Sequence, residues 1–212
     1  MRDGRTMDLL LKAGPLLWPI VLCSVVGLAI FLDRAWVLIR QRSSERGAIE
    51  EILGLVAKGK AGEASALCRA RTGPVSNVLG AFLGSRGLSK EDREQIVSVS
   101  GDRELHRLER GLRGLAVIGR VAPLLGLLGT VLGLVQAFLA VSTMTGPPEP
   151  SVLADGIWQA LLTTVAGLVV AIPAILSHEW LRGRIDEVAL TMEEAVAEAM
   201  RLLESGSGAA SD

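Results

Sequence analysis

Charge is absent from three long stretches of this 212-residue chain, residues 13–32, 121–148 and 156–177. Each is long enough for a helix to cross a hydrocarbon core, which takes about 20 apolar residues. An ordinary water-soluble globule is thereby excluded. Cysteine is scarce as well. Cys23 falls in the first uncharged stretch and Cys68 in a polar one. A bridge between them would bend the chain back into the bilayer, so no disulfide framework is expected and both read as free thiols, Cys68 in a reducing compartment. The chain has two histidines, His106 and His178. Both stand near the ends of apolar stretches, as interfacial residues rather than ligands. No metal-ligand spacing, phosphate-cradling loop or nucleophile constellation is present, so no catalytic and no metal-binding residue is expected and enzymatic catalysis of the soluble type is excluded. The net charge is −1, from 22 basic and 23 acidic residues. That balance gives no global attraction to nucleic acid.

What the chain does have is segregation. The charged residues lie almost wholly outside the three apolar stretches. Trp18 and Trp36 stand near the ends of the first, and Trp158 and Trp180 bracket the third. Indole prefers the headgroup level, where its ring is apolar and its N–H stays wet. The expected fold is an all-α integral membrane protein with three transmembrane helices. The first apolar stretch is longer than the usual core of a signal peptide and no A-x-A site follows it, so it is expected to remain as a span. Arg34, Arg40, Arg42 and Arg46 follow the first span, Arg107, Arg110, Arg113 and Arg120 precede the second, and Arg182 and Arg184 follow the third. The loop over 142–151 has no Lys or Arg. Basic residues mark the inner side, so the N-terminus and the Pro-rich hairpin are expected outside, and residues 40–115 and the C-terminus inside.

The expected division is an outer segment over 1–15, spans over 16–39, 116–141 and 153–178, a helical inner domain over 40–115, an outer loop over 142–152, an inner C-terminal helix over 179–204 and a disordered tail over 205–212. In the inner domain Pro74 can open a helix at its first turn. Ser89 with Asp92 three residues on reads as an N-terminal cap. From Lys90 the periodicity of Leu105, Leu108, Leu112 and Leu115 predicts one helix running unbroken into the second span. The third span is predicted to continue inward in the same way, through Trp180, Ile185 and Val196.

Two stripes of small residues stand out. Gly119, Ala122, Gly126, Gly129, Gly133, Ala137 and Ala140 follow one another at steps of three or four, as do Gly156, Ala160, Thr164, Gly167, Ala171 and Ala174. Such steps share one helical face. Lipid gives no reason to select glycine there, whereas a neighbouring backbone at close range does. Pro123 and Pro173 interrupt the two helices' hydrogen bonding. Thr130 sits beside the first stripe. Gln159 and Thr163 lie one turn apart beside the second. The threonine hydroxyls can pack and bond the carbonyl one turn back, or those of Thr130 and Thr164 can face a narrow interior. Leu124, Leu128, Leu132, Val165 and Val169 are candidates for an apolar lining. Neither span has a titratable group in its core. Threonine passes a hydrogen bond along but holds no charge at neutral pH. Proton conduction would therefore need a carboxylate from another chain.

The segments VAPLLGLLGTVLGLVQAF and LADGIWQALLTTVAGLVVAIPA resemble the second and third spans of the ExbB/TolQ/MotA proton-channel family, closest to ExbB-type proteins. The resemblance covers almost the whole chain, and the strings APLLGLLGT and GLVVAIPA are its most specific part. It implies a homopentameric ring in a bacterial inner membrane, with the N-terminus periplasmic and the C-terminus cytoplasmic. The ring would surround two single-span partners of the ExbD/TolR type, whose aspartate takes up protons, the coupling ion; no other cofactor is implied. A TonB-like protein and membrane lipid are further implied partners. The family's pore-facing threonines match Thr130 and Thr164, with Thr163 and Gln159 beside them. The chain departs from ExbB and TolQ proteins at Gln159, where they place a glutamate. The inner insertion is short for a flagellar MotA. Ton-type import, Tol-type envelope work and gliding motility all fit the resemblance. A non-conducting helical scaffold, whose glycines only pack helices, is the alternative of another class. A solute-transporter subunit fits less well, because no inverted repeat or broken helix pair offers a midplane site.

Overall fold

A computed structural model of the chain describes residues 16–144 and 150–208, apart from the side chains of residues 41–44, 46 and 206–208. All regular secondary structure among the described residues is helical: α1 Leu17–Ala57, α2 Ala61–Ala70, α3 Pro74–Gly84, α4 Lys90–Glu109, α5 Leu112–Ser142 and α6 Pro150–Gly208. Three helices are long and apolar enough to span a membrane, and they begin at Leu17, Leu112 and Pro150. The all-α class with three candidate spans is therefore the observed one. The expected segment over 1–15 and residues 145–149 of the expected loop lie outside the described residues.

The chain divides into two compact units. One comprises the chain up to Leu32 together with Gly111–Glu179, and the other Asp33–Arg110 together with the chain from Trp180 onward. In the first unit the buried residues are mostly small, with Ala122, Ala160 and Ala171 all under 3 % exposed. Its large side chains face outward instead, Leu22, Leu124, Leu176 and Val169 among them. In water this arrangement would lose the hydrophobic stabilisation of each exposed side chain, about 1.5–3 kcal/mol apiece. In hydrocarbon it loses nothing. Trp18 and Trp158 are likewise exposed, as headgroup-level rings require.

The second unit is built the other way round. Ile52 and Val56 of α1, Ala64 and Cys68 of α2, Val75, Val78, Leu79, Phe82 and Leu83 of α3, and Met192, Ala195 and Ala199 of α6 form one buried cluster. Burial pushes the Cys68 thiol above its ordinary range, which keeps it inert. Gly59 has φ +72°. It ends α1 with Lys60 N–H donating to Leu55 O at 3.0 Å and Gly59 N–H to Val56 O at 3.0 Å, the pair of bonds that closes a helix through a left-handed residue. Pro74 opens α3 at its first turn, as the sequence predicts. The Ser89 hydroxyl accepts from Asp92 N–H at 3.1 Å and caps α4, also as predicted.

Two expectations need correction. The helix from Lys90 does not run unbroken into the second span. It stops at Glu109, Arg110 turns extended and Gly111 takes φ +96°. That φ costs a residue with a Cβ about 1–2 kcal/mol, so glycine permits the break that the leucine periodicity conceals. The tail expected from Ser205 is helical as far as Gly208, and the Ser205 hydroxyl donates to Leu202 O at 3.0 Å. Once a helix is nucleated, each added residue gains a hydrogen bond for little further cost. Residues 209–212 lie outside the described set. The predicted helical continuation of the third span is present, since α6 is a single 59-residue helix.

Glu45 joins α1 to the start of α3. Its Oε1 accepts from Val75 N–H at 3.1 Å. Burial, aided by the charge of Glu104, pushes its carboxyl above the usual carboxylate range despite the backbone bonds from Val75 and Ser76. The native state therefore binds the proton more tightly than the unfolded chain, and stability falls as pH rises from the unfolded to the folded value. Glu45→Gln keeps an oxygen acceptor for Val75 and removes the titration. Thermal melting of the detergent-solubilised protein between pH 4 and pH 8 (roughly the span over which such a carboxyl ionises) should show wild type losing more stability toward pH 8 than the variant. Parallel curves would contradict this assignment.

Candidate functional site

Glycine in the middle of a helix costs about 1 kcal/mol relative to alanine. The first unit recovers that cost in the seam between α5 and α6. The partners ascend one helix as they descend the other, so the two run antiparallel. A Cβ added at Gly119 would lie 2.6 Å from Ile175 Cγ1, at Gly126 2.9 Å from Thr163 O, at Gly133 2.9 Å from Ala160 Cβ, and at Gly156 2.5 Å from Ala137 Cβ. At Gly129 it would collide with the Thr163 hydroxyl. At Gly167 it would meet main chain, 2.6 Å from Ala122 O and 3.2 Å from Gly126 Cα. Backbone cannot rotate aside as a side chain can. The seam therefore sets main chain against main chain where Gly126 faces Gly167.

The hydroxyls gather at that point. Thr164 Oγ1 donates to Gly126 O across the seam at 3.0 Å. Thr163 Oγ1 lies 2.7 Å from Ala160 O in its own helix and 3.3 Å from Gly126 O. A hydroxyl has one hydrogen, so the shorter contact to Ala160 carries the Thr163 bond and Thr164 supplies the one to Gly126. The Thr163 side chain is 2 % exposed, whereas Thr164 and Thr130 are half-buried. Thr130 Oγ1 donates to Leu127 O one turn back at 2.7 Å. The structure thus brings the Thr163 and Thr164 hydroxyls together beside the Gly126 carbonyl, which Thr164 alone bonds, and leaves Thr130 bonded within its own helix, one turn beyond Gly126. Gln159 is half-buried, one turn before Thr163. Pro123 and Pro173 both lie inside continuous helices. Leu124, Leu128, Leu132, Val165 and Val169 are all exposed.

The Gly126 carbonyl is the member of this site that residue types alone do not reveal, because every residue owns a carbonyl. Its signal was Gly126 itself, since only a residue without a side chain lets a hydroxyl from the facing helix reach the main chain. The chemistry open to this cluster is narrow. It offers hydrogen-bond donors and acceptors in apolar surroundings, and no group that changes charge near neutral pH.

A model of the MotA/TolQ/ExbB proton channel family matches residues 69–194. The chain is 32 % identical over 188 residues to the biopolymer transport protein exbB1 of Vibrio cholerae serotype O1, covering 87 % of this chain and 82 % of that protein. It is 34 % identical over 119 residues to the biopolymer transport protein ExbB of Salmonella typhimurium, covering 53 % of this chain and 48 % of that one. To the Tol-Pal system protein TolQ of Haemophilus influenzae it is 35 % identical over 96 residues, covering 44 % and 41 %.

Seam packing can be tested with two alanines in one helix. Gly167→Ala should destabilise the protein by about 1–3 kcal/mol, the usual range for overpacking. Gly183→Ala, whose Cβ would meet nothing within 4 Å, should be neutral or gain up to about 1 kcal/mol from helix propensity. Thermal unfolding in one detergent compares them, and equal melting points would remove the close-packing role from Gly167.

Proposed function

The chain belongs to the MotA/TolQ/ExbB proton channel family, and from that premise we propose that it is an ExbB-like subunit of a proton-driven energy transducer in a bacterial inner membrane. Five copies form a ring around two single-span partners of the ExbD/TolR kind, and a TonB-like protein receives the work on the outer side. The N-terminus is periplasmic and the C-terminus cytoplasmic, as the arginine distribution favours. Protons are the coupling ion.

One observation carries this reading. The second and third apolar helices contain no titratable residue between Val121 and Met144 or between Gly156 and Ser177, yet Thr164 places a hydroxyl on the Gly126 carbonyl between them. A hydroxyl beside an apolar wall can steady a protonating carboxylate without competing for its proton. The partner's aspartate is that carboxylate. Desolvation by the surrounding leucines and valines keeps its proton exchange gated rather than leaky. We assign Thr164 and Thr130 to the proton route, Thr163 to the seam, and Gln159 to hydrogen bonding without titration. The extent of the likeness to exbB1, against the shorter match to TolQ, favours the ExbB type over a Tol-type or gliding stator. A non-conducting scaffold is the competing reading, and it draws on the seam's packing alone.

Thr164→Val is close to isosteric and removes only the hydroxyl. In cells that depend on this chain, proton-motive-force-dependent siderophore uptake should fall by about fivefold or more, the factor that a lost hydrogen bond of ~1 kcal/mol sets. Thr164→Ser should restore it. Unchanged uptake at normal expression would favour the scaffold.

A further inference from the structure

We propose that the outer faces of α4 and α6 dock on each other between neighbouring copies of this chain, α4 of one copy against α6 of the next. The inference rests on the ring reading given under the proposed function and assigns the surfaces that join the copies outside the membrane. Two exposed faces carry it. The second unit buries its large apolar side chains in one cluster. Away from the ends of the candidate spans it exposes, among the described residues, only Leu88, Ile96, Val99 and Leu190. Ile96, Val99 and Arg103 follow one another at steps of three and four on α4, and Asp186, Leu190, Glu193 and Ala197 do so on α6. Each set therefore shares one helical face, and every member of both sets is exposed.

The two faces carry opposite charge beside their apolar residues. On α4, Arg103 follows Val99 by one turn, and Arg107 continues the same side of the helix with a 3.6 Å contact to the buried Glu104. On α6, no basic residue stands between Arg184 and Arg201, whereas Asp186, Glu193 and Glu194 flank Leu190. Direction then selects which faces meet. Copies that share one bilayer are related by rotation about its normal. Under such a rotation α4 meets α4 only in parallel, with Arg103 beside Arg103, and α6 meets α6 only with acid beside acid. The chain enters the first unit from α4 at Gly111 and leaves it along α6 after Glu179, so α4 and α6 run in opposite senses. Val99 comes twelve residues before Gly111 and Leu190 eleven after Glu179, about 18 and 17 Å along a helix. Arg103 comes eight before and Asp186 seven after, about 12 and 11 Å. One antiparallel register therefore sets Val99 on Leu190 and Arg103 on Asp186. The two faces differ, so the contact is heterologous, the kind that repeats around a ring.

Two full-length chains with different tags, one Val99→Cys and the other Leu190→Cys, test the contact when co-expressed and oxidised in membranes with copper phenanthroline. Both positions are exposed, so cysteine there leaves the core intact, and a disulfide needs Cα atoms within about 7 Å. The mixture should give a covalent dimer carrying both tags, and either variant alone should give no more dimer than wild type. Arg103→Glu in the Val99→Cys chain should lower the yield about twofold to fivefold, the range of an exposed ion pair. Asp186→Arg in the Leu190→Cys chain should then restore it. Native mass spectrometry of unoxidised wild type reports the copy number independently. A ring whose co-expressed variants give no mixed dimer would overturn the docking and leave the ring reading standing. So would a Val99→Cys homodimer of equal yield, or a yield that Arg103→Glu leaves undiminished. A monomeric wild type would overturn both.

Discussion

The approach of two helix backbones at Gly126 and Gly167 is the constraint on which the membrane-embedded part depends. Hydrocarbon offers no water to a polar group, so each hydroxyl there must find a protein acceptor. Thr164 finds one only because Gly126 leaves its carbonyl open to the facing helix. Thr163 takes Ala160 O in its own helix while its side chain fills the space over Gly129. Packing and hydrogen bonding are therefore one arrangement, and adding a single methyl at Gly167 disturbs both.

The two units meet opposite solvent demands with opposite layouts. The second buries Phe82, Leu79 and Ile52 in a conventional core and presents its charges outward, where ion pairs such as Arg184–Glu187 and Arg201–Glu198 add little stability of their own. The first buries alanine and glycine and presents leucine and valine. A sleeve of that kind has no means of storing a proton. In the proposed assembly it supplies shape, a low dielectric and hydroxyl rungs, and the ionisable switch belongs to another molecule.

Much of this was legible in the sequence because it is periodic. The steps of three and four through Gly119–Gly133 and Gly156–Ala174 locate the seam, and the uncharged stretches locate the spans. Pro74 and Ser89 announce their helix starts by local chemistry. What escaped is not periodic. The break at Arg110–Gly111 hides because Leu108, Leu112 and Leu115 keep helical spacing across it, and a positive φ leaves no trace in residue order beyond one glycine among many. Thr163 reads as a neighbour of the small-residue stripe, yet it lies in the seam, since Gly129 opposite makes the contact wider than a single row. The bond from Glu45 to Val75 spans 30 positions, and no local pattern encodes it.

In the membrane this polypeptide has no proton-carrying group of its own. Purified chain, reconstituted alone into liposomes with a pH gradient and a potassium–valinomycin potential, tests it most directly. The predicted proton flux is that of protein-free liposomes. A rapid flux that Thr164→Val abolishes would contradict the claim, because the conducting group would then have to reside in the chain itself.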